Sequence, residues 1–563
     1  MHERQIEERI KALRQTARRD PSNADLQIQL GNLLLQEGRF AAAVSSYNRS
    51  LKIRPNDLET LHNLGQALHA LGQTSRAVDL FRKALDHHPD NRALINNYGQ
   101  MLIAIGQYEK AEESLTHALE IHTDFPEAHC NLGNALRALE RHEEALEHYQ
   151  RAYAGLPDQP EVLCNLGEML TFMGQFEQAE RILRRAVELQ PDFAAALNNL
   201  GVVLKDTGAL EEAIDVLQQS VTLQPNLASA QSALGALLLV TGKLEQGWQH
   251  WAKRDWNVVV HSARFFHTKL PLWEGTPIPG KRLLVLSEQG IGESILFSGL
   301  LPEMMQQGVQ VLLECDLRMQ PIYQRAMPGL ETCPMLTASD ARALIDQNRL
   351  DLFVLSGDLG HWLRPSLDTF ESHPHHFLLA DESQRQRLRN RYCREGENLL
   401  VGIAWFSKHT RYGQGKSMTL MEMRPLLQLP GVTFVDLQYG DMSAQRAALK
   451  AETGVEILYD DSIDQMQDLD GFSAQVAAMD LVVTISNSLT HIAGALGIPT
   501  WVMLGPQPYW YWTEGLERCL WYPEVRFIRQ SQPYQWGPVI EQVTLELERG
   551  LADGTFSNDE TSR

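Results

Sequence analysis

NLGNALRALERHEEALEHYQRAYAGLPDQPEVLCNLGEML, residues 131–170, decides how this chain folds. It opens on Leu132-Gly133 and repeats that pair 34 residues later as Leu166-Gly167. Between the two lie Ala145, Tyr149 and Pro157. Small Gly and Ala let two antiparallel helices approach closely, and the large Tyr fills the groove between them. Proline stops the second helix. The same period runs outward in both directions, with glycine at 31, 65, 99, 133, 167, 201 and 235. Alanine keeps phase at 43, 77, 111, 145, 179 and 213, and a large apolar residue follows at 47, 81, 115, 149, 183 and 217. A second glycine (38, 72, 106, 174, 208, 242) sits where the first helix must turn. The pattern predicts seven stacked helical hairpins.

These positions resemble the tetratricopeptide repeat over residues 24–260. Residues 1–23 read as an N-terminal capping helix, with Ile6, Ile10 and Leu13 at helical spacing. Two residues before the repeat glycines stand Asn63, Asn97, Asn131, Asn165 and Asn199. Two readings stand: polarity of a helix face, or a ladder of amides that pairs with the backbone of an extended peptide. In the tetratricopeptide arm of O-linked N-acetylglucosamine transferases such a ladder holds the acceptor protein, so the resemblance makes these five asparagines acceptor-binding residues. Cys130 and Cys164 occupy equivalent places in adjacent hairpins and read as small packing residues.

Length bounds the rest. At 563 residues, 44% hydrophobic and 21% charged, the chain has room for three or four domains and is not disordered throughout. A net charge of −21 argues against nucleic acid and anionic membrane as partners. No run of apolar residues is long enough to span a bilayer, and the first twenty residues lack the apolar core of a signal peptide. Six scattered cysteines without a CxxC pair offer neither a zinc site nor a disulfide framework. The reading is a cytoplasmic protein without membrane insertion.

Beyond Trp251 the period fails and short apolar runs alternate with amphipathic ones. RLLVLS (282–287), VQVLLE (309–314), DLFVLS (351–356), LLVGIAWFS (399–407), VTFVDLQ (432–438), DLVVTIS (480–486) and TWVML (500–504) read as buried strands, with helices near 293–307 and 488–496. The alternation predicts parallel sheets in two Rossmann-like units, with a cleft at the carboxyl ends of their strands. The expected divisions are a linker over 261–281, a first unit over 282–390, a second over 391–552 and a disordered tail over 553–563.

LSEQGIGESILFSGLLP, VGIAWFSKHTRYGQGKS, VDLQYG and VVTISNSLTHIAGALGIPTWVML occur in this order. Together they look like the glycosyltransferase domain found behind tetratricopeptide repeats in bacterial proteins. That domain is similar to the heptosyltransferases and has the GT-B fold, and the resemblance covers about residues 245–550. It implies metal-independent transfer of a sugar from a nucleotide sugar, without further cofactor, to a hydroxyl of a protein held by the repeats, with flagellin as the suggested acceptor. The rival reading is a repeat scaffold whose transferase-like domain has become an interaction module.

Each loop carries a chemical expectation. In TISNSLTHIAGALG a strand runs into a helix whose free amides make an anion site; Asn487, Ser488, Thr490 and His491 would hold the donor's diphosphate. SKHTRYGQGKS supplies Lys408, His409, Arg411 and Lys416 to neutralise phosphate. The resemblance adds Ser407 and Gln438 to the donor site. In EQGIGES, Glu293 stands where the related transferases carry an aspartate base; the alternative is an ordinary acid at a helix start. The chain departs from the family at Gly299-Leu300, where Arg-Tyr is usual, and at Ser486-Asn487, where Asp-Thr is frequent. SHPHHF (372–377) reads as linker surface more readily than as a metal site, and YWYW (509–512) as either a stacking wall or core.

Overall fold

The computed structural model describes residues 2–255, 266, 269–288, 290–337, 340, 343–345, 350–371, 374, 376–393, 398–408, 416–505, 509–531 and 535–554. They form two compact units, Met1–Asn199 and Leu200–Arg563.

Behind the helix His2–Arg19, the helices from Ala24–Gln36 to Leu244–Trp251 pair into seven hairpins. The glycine-to-large-residue spacing is a contact: a Cβ on Gly31 would lie 2.5 Å from Tyr47, on Gly133 2.7 Å from Tyr149, and on Gly167 2.5 Å from Leu183. Side chains at Asn23, Asp57 and Asn91 cap first helices by accepting from Leu26, Thr60 and Leu94 N–H. Pro126 and Pro160 open the fourth and fifth hairpins at the first helical turn.

The turn glycines at 38, 72, 106, 174, 208 and 242 all have positive φ. In the fourth hairpin this place belongs to Glu140, at φ 61°, the one non-glycine of that kind among the described residues. Its turn is unchanged. Glu140 N–H donates to Arg137 O at 3.1 Å and Arg141 N–H to Leu136 O at 3.0 Å, as Gly174 and Gln175 do one repeat later. Holding a side chain there costs about 1–2 kcal/mol relative to an ordinary helical conformation.

The second unit carries two parallel sheets. β1 (Arg282–Leu286), β2 (Gln310–Glu314), β3 (Glu331–Cys333) and β4 (Leu352–Leu355) lie in the order β3-β2-β1-β4. β5 (Leu399–Ala404), β6 (Val432–Asp436), β7 (Leu481–Ile485), β8 (Thr500–Leu504) and β9 (Val525–Arg529) lie in the order β6-β5-β7-β8-β9. Every pairing between these strands is parallel. β3 and β9 escape the sequence pattern because one is three residues long and the other alternates with arginine. The single helix expected over 293–307 is two, Ile291–Ser298 and Leu301–Gln306. They break at Gly299, whose Cβ would lie 2.6 Å from Phe377.

Two expected boundaries need correction. The end of the 261–281 linker is part of the sheet. Trp273 N–H donates to Phe353 O at 2.8 Å and Phe353 N–H to Pro271 O at 3.1 Å, so Pro271–Trp273 runs beside β4. The division at 390/391 falls inside the helix Glu382–Tyr392. That helix belongs with the second sheet: Arg389 pairs with Asp480 at 2.8 Å, and Arg391 and Tyr392 donate to Asp460 at 2.9 and 2.8 Å. Residues 555–563, most of the expected tail, lie outside the described residues, as do 261–265.

The last hairpin ends inside this unit. Trp248 Nε1 donates to Arg364 O at 2.8 Å. Trp510 packs on Trp248, Trp251 and Phe297, with ring centroids 5.8, 5.3 and 5.4 Å away. Arg254 lies between two acids, donating to Glu288 at 2.8 and 2.5 Å and to Asp358 at 2.5 Å. Glu288 also accepts from Gly357 N–H at 2.6 Å. Burial alone disfavours the Arg254 charge, and the two carboxylates more than restore it. Arg254→Leu leaves Glu288 and Asp358 buried without their cation. It should destabilise the α/β unit by about 3–5 kcal/mol, read as an early unfolding transition of the full chain in urea; an unchanged midpoint would show the triad to be incidental.

Candidate functional site

Both sheets send their carboxyl ends toward one place. The loop after β1 enters the Ile291–Ser298 helix, and the loop after β7 enters the Ser488–Ala495 helix. The two helices meet where Gly292 faces His491: a Cβ there would lie 2.8 Å from His491 Cδ2, so a side chain would force them apart. Around this contact stand Glu293, Lys416, Tyr509 and Tyr511.

Glu293 occupies the third position of its helix, whose N-cap is Gly290. Burial raises its carboxyl pKa, while the N–H groups of Glu293 and Gly290 and the charge of Lys416 pull it back. Glu293 thus takes the helix-start role of a capping-box acid while its charge also meets that of Lys416. Lys416 Nζ donates to Tyr509 OH at 2.6 Å and sits 4.6 Å from the centre of that ring. Burial lowers its pKa to about 8, against the opposing pull of Glu293.

The other expected donor residues divide. Ser488 is exposed at the helix start, and Asn487 caps that helix by accepting from Leu489 N–H at 3.1 Å. Thr490 is buried and its hydroxyl donates to Ile485 O at 3.2 Å. His491 is 2% exposed, stacks on Trp512, and lies 3.2 Å from Tyr522 OH. Burial, helped by the charge of Lys416, drops its pKa to about 3, so it stays neutral. Gln438 is wholly buried, and its amide is spent on the chain. It accepts from Trp405 and Phe406 N–H at 3.0 and 2.8 Å and donates to Tyr439 O at 3.1 Å. Its place is under the loop after β5. Ser407 N–H donates to Ser417 Oγ at 3.0 Å, and Lys408 N–H to Tyr439 OH at 2.8 Å. His409 and Arg411 lie outside the described residues.

Ser486, at one departure from the family, accepts from Trp512 Nε1 at 2.9 Å and so belongs to the core. Within YWYW, Trp510, Tyr511 and Trp512 are buried, and only half-buried Tyr509 reaches the Lys416 side. Glu288, two residues before Gly290, carries no signal of its role in the sequence; nothing in its neighbourhood marks it as the partner of Arg254. In the histidine cluster, His376 packs against Gly497, and His373 and His375 are not described. Among the described residues no group of three or more His, Cys, Asp or Glu side chains could hold a metal, and no described helix is long and apolar enough to cross a membrane.

The asparagine row has a second occupation. Each Nδ2 donates backward to the preceding hairpin: Asn63 to Asn32 at 3.0 Å, Asn131 to Asn96 at 2.7 Å, and Asn165 and Asn199 to the thiols of Cys130 and Cys164 at 3.4 Å. Asn97 Nδ2 lies 2.7 Å from His62 Nδ1. The row is therefore a seam between hairpins that spends amide hydrogens, and at Asn199 the carbonyl oxygen too, which accepts from Asn198 Nδ2 at 3.1 Å. Cys130 and Cys164, expected as packing residues, are its acceptors.

The Lys416–Glu293 pairing has a measurable sign. Competitive amine labelling read by mass spectrometry should show Lys416 reacting with a midpoint near pH 8. An ionised Glu293 favours the ammonium, so Glu293→Gln should move that midpoint lower; a rise would mean the two do not face each other.

A family model for the cilia and flagella-associated protein 70 C-terminal domain matches residues 3–236. Protein FlbA of Caulobacter vibrioides is 30% identical over 315 residues, 54% of this chain and 52% of that protein, so the chain spans about half the length of this curated relative. Among solved structures, a thermophilic tetratricopeptide protein of Thermus thermophilus is 23% identical with a TM-score of 0.30, covering 32% of this chain and 99% of that one. PilF of Pseudomonas aeruginosa is 24% identical with a TM-score of 0.32, covering 38% of this chain and 96% of that one. The N-terminal region of this chain is a tetratricopeptide repeat array, followed by an α/β region of two parallel sheets.

Proposed function

We propose that the chain is a metal-independent glycosyltransferase of the GT-B type that moves a sugar from a nucleotide sugar to a hydroxyl of a protein held by the repeats. The observation that carries this reading is the convergence of Glu293 and Lys416, from the two different sheets, at the strand ends where open α/β sheets take ligands. Glu293, with its carboxyl pKa raised, accepts the acceptor hydroxyl's proton. The new bond forms from that oxygen to the anomeric carbon as the bond from that carbon to the leaving phosphate oxygen breaks. Lys416 and the amides at the start of the Ser488 helix offset the charge left on the diphosphate. Thr490 and His491 take no direct part in phosphate contact. They shape the helix start, because both are buried and engaged.

The burial of those two residues, together with the occupation of Ser486 by Trp512, favours a second reading, a repeat scaffold whose α/β domain has lost transfer. A thermal-shift panel of UDP-, GDP-, ADP- and CMP-sugars on the full chain separates the two. A donor at 100 times its dissociation constant adds about 2.7 kcal/mol of stability. Lys416→Gln should remove the shift, and Glu293→Gln should keep it while transfer falls by about 10²-fold or more. No shift with any of the four supports the scaffold.

The acceptor half is tested separately. Replacing Asn131, Asn165 and Asn199 by alanine together should weaken acceptor capture by roughly 1.5–4.5 kcal/mol if the terms add. Because each amide also bonds the neighbouring hairpin, the array should lose stability too, so capture is measured below its lowered melting range. Unaltered capture would reduce the row to a structural seam.

A further inference from the structure

The far end of the repeat array carries a feature that sugar transfer does not use. Between Arg9 and Arg19 the first helix holds five cations, Arg9, Lys11, Arg14, Arg18 and Arg19, and no acid, in a chain of net charge −21. Arg14 and Arg18 converge with Arg49, from the helix Phe40–Ile53, on one groove of about 250 Å³. Other arginines of this region have found carboxylates: Arg39 pairs with Glu7, and Arg54 with Asp25 at 2.8 Å. Arg14, Arg18 and Arg49 make no ion pair among the described residues. The groove is also lined by Ser45 and Ser46. Ser46 is 5% exposed and makes no side-chain hydrogen bond among the described residues. Three exposed guanidinium groups with the Ser46 hydroxyl between them make a surface complementary in charge and hydrogen bonding to an anion.

We propose that this groove is a docking site for an anionic segment of a partner protein, bearing carboxylate or phosphate groups. Guanidinium forks recognise both groups in the same bidentate way. Two other polyanions fit less well. A lipid surface would need the apolar side of the first helix, and that side is spent on the core: Ile10 is 1% and Ala17 5% exposed. A nucleic acid would have to approach a chain whose net charge repels it. The groove is bounded by the first and third helices and floored by Leu30 and Leu34 of the second, and none of Asn63, Asn97, Asn131, Asn165 and Asn199 lines it.

The test is fluorescence anisotropy with the full chain at about 50 mM salt, where exposed charges are weakly screened. The probes are labelled hexaglutamate and a peptide of equal length with two phosphoserines. At least one should bind, and the better of the two names the source of the anion. Combined Arg14→Ala, Arg18→Ala and Arg49→Ala should weaken it by at least about tenfold, and Ser46→Val by about threefold. Combined Lys11→Ala and Arg19→Ala, which removes charge outside the groove, should change it less than about twofold. Should the triple alanine variant lose helix signal, Ser46→Val and the Arg-to-Lys version at the three sites carry the comparison. Failure of both peptides to bind overturns the proposal. So does equal loss in the Lys11/Arg19 control, or tighter capture of single-stranded DNA or phosphatidylserine vesicles through the same arginines.

Discussion

One buried charge cluster ties the last repeat hairpin to the first sheet. Arg254, three residues past the last repeat helix, carries a guanidinium out of water and is tolerated there only because Glu288 and Asp358 surround it. Glu288 belongs to the loop after β1 and Asp358 to the turn after β4, so the cluster fixes the last hairpin against the carboxyl ends of the first sheet's strands. The tryptophans beside it do the apolar part of the same work. A hairpin that elsewhere would end in solvent here ends in a core. That placement also steadies the segment leading to Glu293, five residues beyond Glu288.

The repeat array was legible in full because its information is periodic. A glycine spaced sixteen residues from a large side chain is a contact written in sequence, and Gly133 against Tyr149 realises it. The long central strands were legible for a similar reason: apolar runs such as DLVVTIS have no other stable place than between layers of helix. What escaped was non-periodic. β3 is too short to carry a pattern, and nothing local marks Glu288 as a partner of a residue 34 positions away. Resemblance located the loops but not the direction of each side chain. Gln438 lies in the loop after β6 and Thr490 in the first turn of the helix after β7, yet both turn inward to satisfy backbone groups of the chain. Glu293 and Lys416, by contrast, lie close enough to act on one another's charge.

Electrostatics ties the site's two halves. Burial pushes Glu293 and Lys416 in opposite directions along the pH scale, bringing an acid and an amine toward neutrality, while their mutual attraction limits both shifts. His491, between the two helices, is kept neutral by the same low-dielectric surroundings. Its ring is a spacer of fixed size between Gly292 and Trp512. Glu293 and Lys416 therefore sit against an aromatic frame of Tyr509, Tyr511 and Trp512.

Because the last hairpin is embedded in the α/β unit, its end of the array is closed to growth. Whole 34-residue units duplicated or deleted upstream would alter the reach of the arm without touching the Arg254 anchorage, since each hairpin contacts chiefly its neighbours. A gain or loss of any other length would put the glycines out of phase with their partners. Length changes in this array are thus confined to whole hairpins ahead of the embedded last one, because a fraction of a unit would separate each glycine from the large side chain it is spaced to meet.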